Sequence, residues 1–578
     1  MARSKRQRKD AGGPPFWRLA VVMVATAGVV LALVGRALDL QVLNRDFLRD
    51  EAEARHLRTV AISAYRGMIT DRNGAPLAVS SPVYSSWANP AEVLQEEGGV
   101  AELARALGRS EADLREYLER RKQREFVYLR RHMPPDLSAQ IRSLDIPGVN
   151  LQRELRRFYP AGQTAAQLIG FTDIDGRGLE GVERALDGPL SGKQGAKRVM
   201  RDRLGRVIDD VELIREPRPG EDVELSIDRD IQYLAFRELK RAVHRHRAEA
   251  GSVVVLDVHT GELLAVANKP SFNPHQRAQM DPEARRNRAF ANAYEPGSVI
   301  KPFTIAAALR SGSVSPQESF DTAPGTMRVG RHTVRDLLDY GELDLAGVMQ
   351  KSSNVGAAKV ALQTPPRELW QVMQDFEFGA PSGVSFASES AGHLDASPPR
   401  GEVRQATWSY GYGMSTTPVQ LARSYAALAS GGVIRPVTIL RQEEEVEGHR
   451  VLDEDIAQQI RSMLETVIEP GGTGVRASVP GYRVAGKTGT VRKAVAGGYS
   501  EDEYIAMFVG YAPAENPRIA VAVVIDDPAG EAYYGGQVAA PVFSEVASGA
   551  LRILNVPPQA PPSGMPRIVA DWEEGRYD

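Results

Sequence analysis

The 578-residue chain has no cysteine. Disulfides, thiolate metal sites and cysteine nucleophiles are excluded together, and the absence suits an oxidising compartment without requiring one. Histidine is scarce: there are nine, none in an H-E-x-x-H pair, and His244 and His246 sit in a basic run that reads as a solvated helix face. No metal and no cofactor is expected. Neither sign of charge dominates, since 71 Lys and Arg oppose 74 Asp and Glu for a net −3, which gives no electrostatic case for nucleic acid. What remains is ordinary globular composition, 42% hydrophobic and 25% charged, long enough for two or three folded units.

One long uncharged run stands out. Arg3, Lys5, Arg6, Arg8, Lys9 and Arg18 precede Leu19–Gly35, seventeen residues without a charge, closed by Arg36. Seventeen residues is the short limit for a membrane-spanning helix, and Phe16 and Trp17 stand where an interfacial aromatic belt extends it. The basic flank predicts a cytoplasmic N-terminus and export of everything after Arg36. Ala25 and Ala27 lie inside the apolar stretch instead of after it, so an uncleaved anchor is favoured over a signal peptide. Gly28 and Ala32 put small residues on one face of that helix.

Beyond the anchor, the expected organisation is a cytoplasmic tail (1–18), a transmembrane helix (19–35), a helical stalk (36–60), a pedestal (61–220), a second domain (221–557) and a disordered tail (558–578). The Asn73-Gly74 pair between short apolar runs predicts a hairpin. Arg- and Glu-rich helical stretches are expected to about Arg156, then strands and turns to Pro219. In the second domain, Val253–Val258 with Leu263–Ala267, and Tyr504–Tyr511 with Ile519–Ile525, read as antiparallel strand pairs. Helices such as Pro418–Ser430 and Pro541–Leu554 lie between and after them. That pattern predicts an α+β domain, an antiparallel sheet flanked by helices.

Ser298-Val-Ile-Lys301 is the chain's one S-x-x-K. It follows a turn signal and precedes an apolar run, so Ser298 is expected at a helix N-terminus with Lys301 one turn on. A serine needs a base to become a nucleophile, and a desolvated lysine serves. Ser352-Ser353-Asn354 follows 54 residues later and offers a proton-relaying hydroxyl and a carbonyl-holding amide. Lys487-Thr488-Gly489-Thr490 lies in a β-prone stretch, where Gly489 permits close approach of another strand. A cation and two hydroxyls along such an edge suit a peptide's terminal carboxylate. Each motif alone has a bland reading as a cap, a turn or a strand end; the three in this order are hard to obtain by accident.

S-x-x-K, S-x-N and K-T-G in this order resemble the penicillin-binding proteins and serine β-lactamases. The anchor, the Arg66-Gly-Met-Ile-Thr-Asp-Arg-Asn-Gly74 hairpin and Arg157-Phe-Tyr-Pro-Ala-Gly162 resemble the pedestal of class B penicillin-binding proteins. Asn354, Tyr410-Gly-Tyr-Gly413 and Tyr533-Tyr-Gly-Gly536 look like the division-specific septal members; elongation-specific relatives usually carry Asp at the position of Asn354. The resemblance implies a penicillin-binding transpeptidase domain at 221–557 and a D,D-transpeptidase acting on peptidoglycan stem peptides, lipid-linked or in nascent glycan. By the same resemblance Ser298 is the nucleophile, Lys301 its base and Ser352 the proton relay. Asn354 holds the acyl amide, and Lys487, Thr488 and Thr490 hold the carboxylate. Backbone N–H groups of Ser298 and Thr490 form the oxyanion hole, and Arg492, Tyr533 and Tyr534 line the substrate site. β-Lactams are implied as covalent inhibitors, and the membrane glycan polymerase FtsW and other division proteins as partners at the inner membrane.

Three rivals are weaker. Gly481–Thr488 satisfies the phosphate-loop pattern, but no buried strand precedes it and Gly489 spoils a following helix, so no nucleotide is expected. A β-lactamase has no use for a pedestal. A division scaffold that mainly binds is compatible with catalysis and is separated from it by Ser298→Ala.

Overall fold

The computed structural model describes residues 16–43, 57–201, 207–277, 280–384, 386, 388–444, 446–495 and 498–559. The N-terminal helix spans Phe16–Leu38 and continues as a π-turn, Asp39–Leu43. Its apolar stretch Phe16–Gln41 has a mean hydropathy of 2.2 and is long and apolar enough to cross a membrane. It exceeds the expected 19–35 span at both ends. The basic tail before Phe16, residues 44–56 of the expected 36–60 stalk and the tail from 560 lie outside the described residues; the end of that stalk, expected to be helical, is instead the start of the strand Leu57–Ile62, where backbone pairing with another strand outweighs the local pattern.

The described residues form two compact units. One draws on the stretches up to Ala64, Pro82–Glu154 and Lys193–Arg218; the other takes Tyr65–Ser81, Leu155–Gly192 and the chain from Pro219. The expected pedestal is therefore contiguous in sequence but shares its residues between the two units.

In the first unit Leu57–Ile62 pairs antiparallel with Gly195–Arg201, which pairs with Val207–Arg215. Helices Gly99–Leu107 and Glu111–Glu119 bury Leu103, Leu107, Leu114 and Leu118 against Val127 and Ile141. Ser110 caps the second helix by accepting from the Asp113 N–H. The stretch to Arg156, expected to be helical, instead carries the strands Val127–Met133 and Val149–Phe158. Their charges hid the pattern: Arg130, Arg153 and Arg156 are exposed, but Glu154 and Arg157 point inward and are paired. Buried Glu154 accepts from Ser85, from Tyr128 at 2.8 Å and from Arg131 at 2.8 Å. Charged residues read as solvated when sequence alone is available, and pairing is a tertiary property.

In the second unit the predicted hairpin is present, Ile69–Thr70 pairing with the start of Pro76–Ala88 through a turn with Gly74 at φ 78°. Asp71 accepts from the N–H groups of Asn73 and Ala75, and its other oxygen accepts from the Arg229 N–H. Arg66 and Arg157, one from each pedestal motif, both donate to Glu183 at 2.6 Å, and Glu183 is fully buried.

Five strands build the main sheet: β1 (Ala248–Asp257), β2 (Leu263–Lys269), β3 (Ala485–Val495), β4 (Gly498–Ala512) and β5 (Ile519–Pro528). Their spatial order is β2-β1-β5-β4-β3, antiparallel throughout, with β3 on an edge. Val253, Val255, Val521 and Val523 pack towards α1 (Arg229–Arg245) and α6 (Ala540–Ile553). Val254, Leu256, Ala522 and Val524 face the opposite core, with α2 (Lys301–Ser311) and α5 (Pro418–Ala429). Both faces are covered, so these strands are continuous apolar runs without alternation. The second unit is the α+β fold expected. The stretch Gly481–Thr488 that mimics a phosphate loop runs into β3, with no helix after it.

Candidate active site

Gly297–Ile300 forms a 3-10 turn that leads into α2 at Lys301, so Ser298 sits in the turn just before the helix. The turn is held close to β3. A Cβ on Gly489 lies 3.0 Å from Val299 Cγ1 and 3.2 Å from the Pro296 carbonyl oxygen, so what Gly489 admits is this turn and not another strand. Gly297, at φ 55°, has the same tightness in return, with Val491 2.3 Å from its missing Cβ. Gly411, at φ 88°, packs on the same turn: a Cβ added to it would lie 2.4 Å from the Gly297 nitrogen. Three glycines therefore let strand, turn and loop meet backbone to backbone.

Helix α3 (Leu345–Lys351) ends at Ser352, which adopts φ 60°, and α4 (Asn354–Gln363) begins two residues later. A left-handed serine costs conformational energy and persists where its surroundings impose it. Here the conformation places Ser352 Oγ 3.3 Å from Lys301 Nζ and 2.9 Å from Lys487 Nζ. Lys301 also donates to the Ser352 carbonyl at 2.6 Å and to Asn354 Oδ1 at 2.9 Å. Both lysines are fully buried.

Two ammonium groups sharing one hydroxyl in a dry site cannot both hold a full charge. Burial lowers Lys301 to about 7, with Asp336 partly offsetting the effect. Burial also pushes Lys487 well down, and the neighbouring Lys301 adds to the push. A neutral amine at Lys301 is thus available near neutral pH. A carboxylate arriving beside Lys487 supplies the opposite charge that restores its proton. Ser298 is half-buried and makes no side-chain hydrogen bond to another described residue.

The other expected residues divide into two sets. Thr488 pairs with Thr473, Oγ1 to Oγ1 at 2.8 Å, and Thr490 Oγ1 accepts from the Gly535 N–H at 2.9 Å. Through Gly535 the Tyr533-Tyr534 loop hangs on β3. Tyr533 stacks between Tyr504, at 4.3 Å, and Tyr534, at 4.4 Å; Tyr534 is exposed, so the pair lies outside the core. Arg492 lies on β3 two residues past Thr490, exposed, paired in register with Tyr504.

Two residues of the site escaped the sequence reading. Asp336 accepts from the Ser353 hydroxyl and from the N–H groups of Asn354 and Val355, anchoring the start of α4, while Asn354 Nδ2 donates to the Arg335 carbonyl. Thr473 sits in a Gly-rich loop. Neither lies in a motif; only their juxtaposition in space marks them.

A neutral amine at Lys301 carries a pH signature. A base role for Lys301 requires the unprotonated amine, so under that role the acylation rate is expected to rise with pH through about 7 and level off above it. Second-order acylation rates between pH 5.5 and 9 check this; a flat profile removes Lys301 from that role.

Comparison with known proteins places these observations in a family. Residues 251–548 match the penicillin-binding protein transpeptidase domain, and residues 61–225 match the penicillin-binding protein dimerisation domain. The chain is 41% identical over 566 residues to the peptidoglycan D,D-transpeptidase FtsI of Escherichia coli K12, covering 97% of this chain and 95% of that protein. It is 40% identical to the probable peptidoglycan D,D-transpeptidase PbpC of Pseudomonas aeruginosa PAO1, covering 94% of this chain and 96% of that one. Among solved structures, the transpeptidase domain of Burkholderia pseudomallei penicillin-binding protein 3 aligns with a TM-score of 0.54 and 42% identity, over 58% of this chain and 98% of that domain.

Proposed function

The chain belongs to the class B penicillin-binding proteins, and on that premise we propose that it cross-links peptidoglycan as a septal serine D,D-transpeptidase, with Ser298 as its nucleophile. The observation that carries the reading is the placement of Ser352 Oγ between two buried lysine amines, one from each flanking motif.

Neutral Lys301 takes the Ser298 proton as the oxygen attacks the carbonyl between the two terminal D-alanines of a stem peptide. Lys301 returns the proton through Ser352 to the departing D-alanine, leaving an ester on Ser298. The backbone N–H groups of Ser298 and Thr490 receive the oxyanion. Lys487, Thr488 and Thr490 bind the terminal carboxylate, and Asn354 binds the acyl amide. The outer edge of β3 is open to the peptide backbone, which adds as a further strand. An amine of a neighbouring stem peptide then attacks the ester, forming the cross-link and freeing Ser298. Water in place of the amine gives hydrolysis, the carboxypeptidase side reaction. A penicillin enters as a false donor and stops at the ester. Tyr533, Tyr534 and Arg492 border the cleft.

The N-terminal helix serves as a single-pass anchor in the inner membrane, its basic flank cytoplasmic and the bulk of the chain periplasmic at the division septum. FtsW and other division proteins are the partners we assign to the anchor and the pedestal residues. No nucleotide or nucleic acid enters the reaction.

The test uses the full-length protein in detergent. A fluorescent penicillin is expected to give one stable labelled band, and a D-alanyl thioester with an added amine is expected to yield the aminolysis product. A label lost within seconds, with hydrolysis alone, contradicts the transpeptidase reading and favours a β-lactamase.

A further inference from the structure

Glu295 opens the turn that carries Ser298, and half of its carboxylate is unused. Its Oε1 accepts from the Gly413 N–H at 2.9 Å and from the Tyr499 hydroxyl at 3.0 Å. Its Oε2 is buried and meets no donor among the described residues. A charged oxygen withdrawn from water without a donor is costly, and in a native fold such an atom points to a missing hydrogen-bond partner.

The surroundings say what kind of donor fits. The rings of Tyr412 and Tyr499 meet edge to face at 5.4 Å, and those of Tyr410 and Tyr412 at 5.7 Å, so tyrosines stand along this carboxylate. Aromatic rings and a carboxylate together favour a cation. Among the described residues no ion pair reaches Glu295, and none joins it to Arg492, although both act on the Tyr412 hydroxyl, Glu295 raising and Arg492 lowering its affinity for a proton, after the larger effect of burial. An ammonium is compact, carries three donors and needs only one free oxygen, whereas a guanidinium is planar and wider.

We propose that Glu295, walled by Tyr412 and Tyr499, is the recognition point for a primary ammonium group of the stem peptide, and so determines specificity beside the nucleophile. The inference rests on the transpeptidase reading. Two strands offer such a group: the acceptor through its attacking amine, before that amine gives up its proton, and the donor through an amine-bearing side chain upstream of the scissile bond.

The experiment compares full-length wild type with Glu295→Gln, which keeps the acceptor for Gly413 and Tyr499 and replaces Oε2 by an uncharged amide. In the acceptor arm, one thioester donor is aminolysed by Nα-acetyl-lysine or by uncharged hydroxylamine. In the donor arm, D-alanyl thioesters extended by lysine or by Nε-acetyl-lysine are compared at fixed acceptor. Each result is a ratio of kcat/KM, ammonium over neutral, within one variant, so any general loss of acylation cancels.

The wild-type ratio is expected to exceed that of Glu295→Gln by about tenfold to a hundredfold in one arm, the range of a hydrogen bond to a charged group. A drop in the acceptor arm places the ammonium on the acceptor strand, and a drop in the donor arm places it on the donor. Equal ratios in both arms overturn the proposal. So does a wild type that makes no distinction in either arm, whether or not the variant folds. Tyr499→Phe, which keeps the charge, is expected to keep the preference, and its loss there also overturns it. A wild type that takes no penicillin label at all strikes the parent reading instead, which separates the two failures.

Discussion

Ser298→Ala is expected to take up no covalent penicillin, and Lys301→Met to slow acylation by roughly two to four orders of magnitude. The serine variant lacks the atom that becomes acylated, and its half-buried position allows the small change without repacking. The lysine variant keeps an unbranched chain as far as Cε and removes the amine. Its effect on stability is expected to be small because two terms oppose. Burying an amine with no exposed surface is costly, and methionine removes that cost. The Ser352 carbonyl and Asn354 Oδ1 lose their donor, a loss of about 1–3 kcal/mol for each acceptor left dry. Rapid-quench labelling and circular-dichroism melting on the same samples read both effects. A Lys301→Met protein that acylates at the wild-type rate removes lysine from the mechanism. A variant that fails to fold shows that the amine's hydrogen bonds, not its basicity, are what the site needs.

Gly411→Ala is expected to inactivate the enzyme from outside the three motifs. Gly411 adopts φ 88°, and an added Cβ meets the Gly297 nitrogen and oxygen at 2.4 Å. Those neighbours are backbone atoms of the turn that carries Ser298, so no side chain can swing away to make room. The clash either displaces the nucleophile or opens the loop, and a misplacement of about 1 Å costs on the order of a hundredfold in rate. Gly312→Ala is the matched comparison. It too is left-handed, at φ 66°, but nothing lies within 4 Å of its missing Cβ. Only the conformational penalty of roughly 1–2 kcal/mol applies there, and acylation should be intact. If the two variants behave alike, the tight packing of the Tyr410–Gly413 loop on the turn has no catalytic consequence.

The candidate site was legible to the extent that chemistry is carried by short local patterns. Ser298 with Lys301, Ser352 with Asn354, and Lys487 through Thr490 declare themselves by residue type and order. The edge position of β3 was implied by the same reading. Asp336 could not be found this way, because an aspartate in Val334-Arg-Asp336 looks like any exposed turn residue until it is seen capping α4. Glu295 was visible as part of a turn, yet its unpaired oxygen is a property of packing alone. The strands at Val127–Met133 and Val149–Phe158 were missed for a related reason. Their charges resemble a solvated helix, and Glu154 is inside only because Arg131, Tyr128 and Ser85 meet it there.

By itself, then, the sequence determined the long apolar N-terminal helix, the α+β class of the second domain and the three motifs to which we assign the chemistry. These depend on composition, on runs and on intervals along one chain. Tertiary structure alone decided how basic Lys301 is, which oxygen of Glu295 is left without a donor, and how closely three glycines bring the turn, the strand and the loop together. Those properties arise from desolvation and from contacts between residues more than a hundred positions apart, such as Lys487 on Ser352, and nothing local in the chain encodes them.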